Sequence, residues 1–177
     1  GGFNFAFGMA QGARLSVSTS DGVNYEVNTM KSADADFSNV QYWNADTFFS
    51  FKGKLWCMTG FTSYIGASNS LQKNIYSSTD GTNWTKAGEI TFPSLYHANV
   101  VAGENVAYLI GGETLAADGT TRELSNKIYR STDGVTWEEV TVPSSFSARR
   151  NTVGAVMGNT AFLFGGITSV TSDFYSY

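Results

Sequence analysis

Three copies of a short segment built around an Asp-Gly pair restrict the possible folds more than any other feature of this sequence. The copies read LSVSTSDGVNY, IYSSTDGTNW and IYRSTDGVTW, and their aspartates, Asp21, Asp80 and Asp133, lie 59 and 53 residues apart. A second landmark precedes each aspartate by 19 to 21 residues and is a glycine in every case: Gly2, Gly60 and Gly112. A repeat period near 50 residues is typical of architectures that stack one structural unit on the next.

Each repeat predicts four short strands. Around Asp133 the runs are HANVVAG, NVAYLIGG, NKIYRS and VTWEEVTV, which are rich in β-branched and aromatic residues and bounded by Gly, Asn and Asp. An Asp-Gly pair between two such runs favours a hairpin, because glycine accepts a positive φ and aspartate bonds to the N–H groups of the turn. Helix signals are almost absent from the sequence.

A fourth unit opens with AFLFGG at 161–166 and reaches DFYSY at 173–177, which matches the third-strand runs NIYSS and KIYRS. We therefore predict an all-β chain of four-stranded antiparallel units that forms one domain over residues 1–177. The predicted units are approximately 1–30 (partial), 42–90, 95–142 and 150–177 (partial).

These motifs carry a resemblance to known families. The apolar runs that end in a double glycine, followed by a tyrosine and later a tryptophan, resemble the kelch repeat. The Ser-Thr-Asp-Gly-x-x-Trp segments resemble Asp-box (BNR-like) repeats, with one residue fewer between aspartate and tryptophan than that family usually has. Similar kelch-like units with Asp-box hairpins occur in the C-terminal propellers of surface lipoproteins of gut Bacteroidetes.

The resemblance implies a β-propeller of four-stranded antiparallel blades. The chain begins after a predicted second strand and ends within a third, so we expect it to hold about three to three and a half blades of a larger ring. Open apolar faces and strand edges would then favour self-association. A signal peptide or lipid anchor is expected outside this sequence.

The resemblance also assigns the Asp-Gly segments a structural role. In Asp-box hairpins the aspartate holds the turn between the third and fourth strands, and the aromatic residue packs inward. The residues expected to be structural, with the three aromatic residues in the core, are Asp21, Gly22, Tyr25, Asp80, Gly81, Trp84, Asp133, Gly134 and Trp137.

Ligand binding is expected on the loops, because a repeated scaffold is free to vary there. In propellers of this kind, the loops between strands two and three and those between consecutive blades share one rim. The segment 31–44 is predicted to be one of these rim loops. The rim residues that we single out are Tyr42, Trp43, Tyr64, Tyr96, His97, Glu113, Arg122, Arg149 and Arg150. Tyr42 and Trp43 fit packing between blades equally well, His97 fits a structural role, and Arg149 and Arg150 fit pairing across blades.

Composition excludes several classes of function. The formal net charge is −4 and only Arg149 and Arg150 form a basic pair, so we expect no nucleic-acid partner. No apolar run is long enough for a membrane span. One cysteine and one histidine rule out a disulfide framework and a cysteine- or histidine-rich metal site. The acidic run SADADFSN does not meet the EF-hand pattern, and we expect neither metal nor cofactor.

We therefore expect a non-catalytic binding module of a bacterial cell-surface or secreted protein that recognises a glycan or a protein partner. Exposed aromatic residues beside amides and charges suit contacts with sugar rings and hydroxyls. The alternative is a sialidase-like or other glycoside hydrolase, assembled from Arg122, Arg149, Arg150, Glu113, Asp118 and Tyr96, with catalytic residues partly outside this sequence. A third possibility is a pure scaffold.

Overall fold

The computed structural model describes residues 2–3, 12–13, 15–39, 42–43, 47–58, 60–61, 72–116, 121–158 and 160–169. Within these residues the only α-helix is α1 (Ala35–Asn39), and every strand pairing is antiparallel apart from one isolated bridge between Lys31 and Asn83. The prediction of an all-β chain with antiparallel sheets is confirmed. The strands are β1 (Gly2–Phe3), β2 (Gly12–Ala13), β3 (Leu15–Ser18), β4 (Glu26–Thr29), β5 (Tyr42–Trp43), β6 (Phe48–Phe51), β7 (Lys54–Met58), β8 (Gly60–Phe61), β9 (Asn74–Ser78), β10 (Thr85–Glu89), β11 (Asn99–Ala102), β12 (Ala107–Ile110), β13 (Glu113–Leu115), β14 (Arg122–Leu124), β15 (Ile128–Ser131), β16 (Glu138–Val140), β17 (Arg150–Met157) and β18 (Thr160–Ile167).

Two complete four-stranded sheets form the middle of the molecule. The first sheet has the strand order β6-β7-β9-β10, and the second has the order β11-β12-β15-β16. In each sheet, neighbouring strands follow one another along the chain, and a small two-stranded pair lies beside the sheet. Beside the second sheet this pair, β13-β14, falls between the second and third strands; beside the first sheet, β5 precedes the first strand and pairs with β8, which follows the second.

Two further hairpins flank the complete sheets. The β3–β4 hairpin precedes the first sheet, and the β17–β18 hairpin follows the second. The first strands of consecutive units contact one another in series, β6 with β11 and β11 with β17. The units are therefore stacked side by side in sequence order.

The main hydrophobic core lies between the two complete sheets. Its members come from both, including Trp56 and Met58 of the first sheet and Leu109, Tyr129 and Trp137 of the second. A second cluster lies on the other face of the first sheet, where Phe37 of α1 is fully buried and makes an edge contact with Tyr76. Burial of apolar surface between neighbouring sheets is thus the main stabilising contact of the stack.

The Asp-Gly turns have the same hydrogen bonds in all three copies. In the second copy, Oδ1 of Asp80 accepts hydrogen bonds from the N–H groups of Thr82 (2.8 Å) and Asn83 (2.7 Å). The hydroxyl of Ser78 donates to the same carboxylate oxygen at 2.9 Å and accepts from the N–H of Gly81 at 2.9 Å. Gly81 has a φ of 73°, in the left-handed region that glycine adopts without steric cost.

The aromatic residues of these turns differ in burial. Trp84 and Trp137 are buried, and each indole N–H donates to the carbonyl of the turn glycine. Tyr25 is 62% exposed, so the expectation that it is a core residue was wrong. The reason is that Tyr25 belongs to the β3–β4 hairpin, which within the described residues has no further strands in its sheet and no preceding unit against its outer face.

A double glycine lies at the end of the second strand in two of the units. Gly111 and Gly112 follow β12 with φ values of 66° and 93°, and Gly165 and Gly166 repeat this in β18 with values of 65° and 95°. A Cβ on Gly112 would lie 2.7 Å from Cβ of Ala98 and 2.9 Å from the carbonyl oxygen of Tyr96. Glycine is therefore required both by the left-handed backbone and by the close approach of the neighbouring segment.

We predict that Gly112→Ala lowers the free energy of unfolding by about 3 kcal/mol or more, measured by urea denaturation. The left-handed conformation costs a non-glycine residue about 1–2 kcal/mol, and overpacking adds about 1–3 kcal/mol. Gly158→Ala is the matched control, because Gly158 has a φ of 60° but a Cβ there would meet nothing within 4 Å. Equal losses in the two variants would show that close packing does not matter at Gly112.

We predict that Asp133→Ala destabilises the protein by about 1.5–3 kcal/mol, the usual range for hydrogen bonds to a charged group. The carboxylate of Asp133 accepts from the N–H groups of Val135 and Thr136, both at 2.7 Å. Burial acts to raise the pKa of Asp133, but these hydrogen bonds outweigh it, and the pKa lies below its ordinary value of 3.8. This stabilisation is therefore present above the ordinary pKa and is lost as the pH falls through the lower folded value.

Asp133→Asn is the control for this turn, because the asparagine oxygen keeps an acceptor in the same place. It should cost less than Asp133→Ala in the same urea titration. A loss as large as that of the alanine variant would contradict the assignment of the stability to these hydrogen bonds.

Candidate functional site

The double glycine after β12 brings three separate segments together at one edge of the second sheet. The N–H of Gly112 donates to the carbonyl of Arg149 at 2.8 Å, and the N–H of Glu113 donates to the carbonyl of Tyr96 at 2.8 Å. The N–H of Tyr96 returns a hydrogen bond of 3.0 Å to the carbonyl of Glu113. The backbone at Glu113 is thus held beside the two segments that lead into β11 and β17.

Four of the predicted rim residues gather around a fifth, Glu113. We call this set the Glu113 cluster; its members are Tyr96, His97, Glu113, Arg122 and Arg150. Oε1 of Glu113 lies 2.7 Å from Nδ1 of His97, 3.0 Å from Nη1 of Arg150 and 3.5 Å from Nη1 of Arg122. One carboxylate oxygen therefore faces three nitrogen atoms that come from three different segments.

The members of the cluster differ in exposure. Glu113, Tyr96 and Arg150 are buried. The side chains of Arg122 and His97 are 44% and 38% exposed. The guanidinium of Arg122 also lies over the ring of Tyr96, with its Cζ 5.3 Å from the ring centre. The cluster is therefore an ion-pair network whose inner residues, Glu113, Tyr96 and Arg150, are buried, and whose outer residues, Arg122 and His97, face solvent.

Electrostatics keep the carboxylate ionised. Burial acts to raise the pKa of Glu113, but the hydrogen bond from His97 and the positive charge of Arg150 outweigh it, so its pKa lies below the ordinary value. Burial and the negative charge of Glu113 raise the pKa of Tyr96 to about 12. Two guanidinium groups outnumber one carboxylate, and the cluster carries a net positive charge within an acidic protein.

The second oxygen of the carboxylate has a different environment. Oε2 of Glu113 is buried and has no hydrogen-bond partner among the described residues. A buried charged oxygen without a donor costs free energy, and native structures rarely leave one in that state. The cluster therefore contains an acceptor that a donor from outside these residues would satisfy.

The backbone beside the cluster is left-handed at two non-glycine residues. His97 has a φ of 54° and Asn151 has a φ of 53°. They occupy equivalent positions in consecutive units: His97 lies two residues before β11, and Asn151 is the second residue of β17. The N–H of Asn151 donates to the carbonyl of His97 at 2.9 Å. Such conformations are uncommon outside glycine, and they often occur at functional sites.

The remaining rim candidates lie elsewhere or outside the described residues. Arg149 is not part of the cluster: its guanidinium donates to the carbonyl and hydroxyl of Ser147 and to the carbonyl of Gly165. Tyr42 and Trp43 lie on β5, which pairs with β8, but their side chains are outside the described residues. Tyr64 and Asp118 are outside them as well.

The predicted rim loop at 31–44 needs a further correction. Phe37 in its centre is fully buried against Tyr76 and Trp84, so this part of the segment belongs to the core and not to a solvated loop. The sequence signal for this burial was the presence of an apolar residue, Phe37, within an acidic run.

Every member of the Glu113 cluster was a candidate in the sequence analysis, but the burial of the Glu113 side chain was not predicted. The position of Glu113 directly after the double glycine was a usable signal, because the left-handed turn redirects the next side chain toward neighbouring segments.

The described part of the chain holds no group of three or more His, Cys, Asp or Glu that could bind a metal. It also holds no helix with the length and apolarity needed to cross a membrane.

No protein-family model matches the chain, and no curated protein sequence matches it. Among solved structures, the chain is similar to one titled "Structure of YjhT", with a TM-score of 0.58 and 13% sequence identity. The match covers 86% of this chain and 54% of that chain, so this chain spans about half the length of that structure. At this identity the likeness concerns the fold alone.

We predict that Glu113→Gln lowers the free energy of unfolding at pH 7 by about 3–5 kcal/mol, the usual cost of removing one partner of a buried ion pair. The reason is that the variant removes the carboxylate charge that lies 3.0 Å from the buried guanidinium of Arg150. Because the folded pKa of Glu113 is lowered, its contribution is present above the ordinary value of 4.5 and disappears as the pH falls through the folded value. The difference between the two proteins in urea titrations should therefore shrink toward low pH.

Glu123→Gln is the control for this variant, since Glu123 is exposed on β14. It should change stability by no more than about 0.5 kcal/mol. A difference between wild type and Glu113→Gln that is the same at both ends of the pH range would contradict an ionised, paired Glu113.

Proposed function

We propose that this chain is a non-catalytic ligand-binding part of a β-propeller, and that the Glu113 cluster binds a hydroxyl-rich ligand, a glycan. The observation that carries the proposal is Oε2 of Glu113, a buried carboxylate oxygen without a donor among the described residues. A ligand hydroxyl is a donor of the right kind, since carboxylates accept short hydrogen bonds from O–H groups.

The propeller architecture is supported by the sheets themselves. Two four-stranded antiparallel meanders stack in sequence order, as expected for consecutive blades. The fold likeness to a solved structure of about twice the matched length is compatible with a longer ring. We assign the double-glycine units to the kelch type and the Asp-Gly turns to the Asp-box type on the motifs given above.

The exposed part of the cluster suits a sugar. Arg122 lies 3.5 Å from Glu113 through one nitrogen, and its half-exposed side chain leaves guanidinium donors for acceptor oxygens of a ligand. A glycan offers both hydroxyl donors for Oε2 and oxygen acceptors for Arg122. A protein partner that presents Ser, Thr or backbone groups is the alternative ligand.

The same geometry argues against catalysis by this cluster. A tyrosine nucleophile needs a nearby base, but the lowered pKa of Glu113 makes it a weak base and the raised pKa of Tyr96, about 12, opposes ionisation. Typical glycosidases use two carboxylates about 5–10 Å apart, whereas the Glu113 cluster contains one. We therefore place the hydrolase second, and we propose a cell-surface or secreted location in keeping with glycan capture.

The test is NMR of a panel of neutral and acidic oligosaccharides with and without the protein. We predict line broadening of at least one sugar without new signals, and about a tenfold or greater loss of affinity in Arg122→Ala, since a lost charged hydrogen bond is worth about 1.5–3 kcal/mol. Arg130→Ala is the control, because Arg130 is exposed on β15 and outside the cluster.

Each outcome of this experiment decides between the functions. New reducing-end signals would establish a hydrolase and reject the binding module. If Arg122→Ala and Arg130→Ala reduce the line broadening equally, the ligand binds outside the Glu113 cluster. The absence of broadening with every sugar would reject the glycan and favour a protein partner.

A further inference from the structure

His97 is the single histidine of the chain, and its backbone is left-handed with a φ of 54°. Asn151 has a φ of 53° at the equivalent position of the next unit. Histidine and asparagine are among the non-glycine residues that adopt this conformation most readily. The fold therefore requires a residue that tolerates a left-handed backbone here, but it does not require an imidazole. The chemistry of the ring itself needs a separate explanation.

The contact with Glu113 determines which nitrogen of the imidazole carries a proton. Nδ1 of His97 lies 2.7 Å from Oε1 of Glu113. Burial acts to raise the pKa of Glu113, but the hydrogen bond from His97 and the charge of Arg150 lower it further, so the carboxylate is ionised. An ionised carboxylate only accepts hydrogen bonds, so Nδ1 must be the donor. A neutral His97 therefore has its proton on Nδ1 and a lone pair on Nε2.

The second ring nitrogen, Nε2, is accessible from outside the cluster. The side chain of His97 is 38% exposed. Within the described part of the chain, the hydrogen bond of the ring runs through Nδ1, and Nε2 is not a buried atom. Nε2 is therefore an acceptor that solvent or a ligand can reach.

Arg122 lies beside His97 on the solvent-facing side of the cluster. Its Nη1 is 3.5 Å from the same oxygen of Glu113, and its side chain is 44% exposed. The ring of Tyr96 contacts both residues: its centre lies 5.3 Å from Cζ of Arg122 and 5.1 Å from the centre of the His97 ring. A guanidinium and an imidazole are thus presented to solvent next to each other.

Protonation of His97 would change the hydrogen bonds and the charge of this side of the cluster. An imidazolium has an N–H on both nitrogens and no acceptor. Histidine is the side chain that ordinarily titrates between pH 5 and 8. The groups that face it from β13, β14, β17 and the segment before β11 keep their charge in this range. Glu113 has a lowered pKa, burial and the charge of Glu113 raise the pKa of Tyr96 to about 12, and Arg122 and Arg150 stay protonated.

We infer that His97 determines whether the Glu113 cluster accepts an anionic ligand group. With a neutral imidazole, the lone pair of Nε2 accepts a hydrogen bond from a ligand hydroxyl and repels an anionic oxygen. With an imidazolium, Nε2–H donates to an anionic oxygen of a carboxylate or sulfate group and binds it together with Arg122. This inference rests on the proposed function, since it assigns a ligand class to the same cluster.

The first test reads the proton positions of His97 in the full chain without any ligand, by long-range proton–nitrogen NMR. Because the chain has one histidine, the ring signals need no further assignment. At pH 8 we expect Nδ1 to be protonated and Nε2 to be unprotonated, and at pH 5 we expect both to be protonated. A proton on Nε2 at pH 8, equal averaging over the two nitrogens, or an unprotonated Nε2 at pH 5 would overturn the inference.

The second test uses sulfate as the anionic probe, because the charge of sulfate does not change between pH 5 and 8. The full chain is titrated with sodium sulfate at both pH values, at constant ionic strength, and binding is read from the NMR signals of Nε2 and of the backbone amides of the cluster. Sulfate should bind about tenfold or more tightly at pH 5, the effect of one additional charge-assisted hydrogen bond. No sulfate binding at pH 5 would contradict the inference.

His97→Asn is the matched variant, because Asn151 shows that asparagine fits the same left-handed position. Its amide spectrum should show the native fold, and its affinity for sulfate should differ less than about twofold between the two pH values, since the titrating group is gone. Arg130→Ala is the control on exposed β15, and it should keep the full pH dependence. A pH dependence that persists in His97→Asn would assign the effect to another group and reject the role of His97.

These outcomes distinguish the inference from the proposed glycan function. A sulfate site that depends on His97, in a protein that binds no oligosaccharide, would reject the glycan and support His97 as the residue that selects anions. Oligosaccharide binding together with sulfate binding that does not depend on His97 would support the glycan and reject the inference.

Discussion

Burial of apolar side chains between consecutive sheets is the contact on which the rest of this structure depends. A sheet of four short strands has two faces and cannot cover both by itself. Trp56 and Met58 on one sheet and Leu109 and Trp137 on the next are buried only because the two sheets stack. Tyr25 occupies the turn position of Trp137, and Phe164 precedes its double glycine as the buried Ile110 does, yet both are exposed on the flanking hairpins. The neighbouring sheet, and not the residue type, therefore determines burial.

The candidate site depends on the same stacking through the double glycine. Gly111 and Gly112 turn the chain in the left-handed region and let the segments before β11 and β17 approach without side-chain obstruction. Glu113 is the first residue after this turn, and the neighbouring segments supply Arg150 and His97 to its carboxylate. In the β17–β18 hairpin the residue after the double glycine is Ile167. The glycine turn therefore recurs in that unit, but the carboxylate does not.

Particular residues show how far sequence patterns reach. The Asp-Gly turns and the strand runs are local, since a few adjacent hydrogen bonds and side-chain alternation determine them, and strands such as NIYSS and IYRS lie within the predicted runs. Phe37 was placed on a rim loop but is buried, because its environment comes from β9 and the turn before β10. Arg149 and Arg150 are adjacent and chemically identical, yet one binds backbone and the other Glu113.

The sequence by itself determined the all-β class, the repeat and the residues from which a site is built, because these follow from short-range periodicity and turn chemistry. Only the tertiary structure decided that Tyr96, His97, Glu113, Arg122 and Arg150 meet. It also decided that the carboxylate of Glu113 is buried and that Arg149 lies outside the cluster. The physical reason is that these contacts join residues up to 37 positions apart. Their distances depend on how whole sheets stack, and no local pattern contains that information.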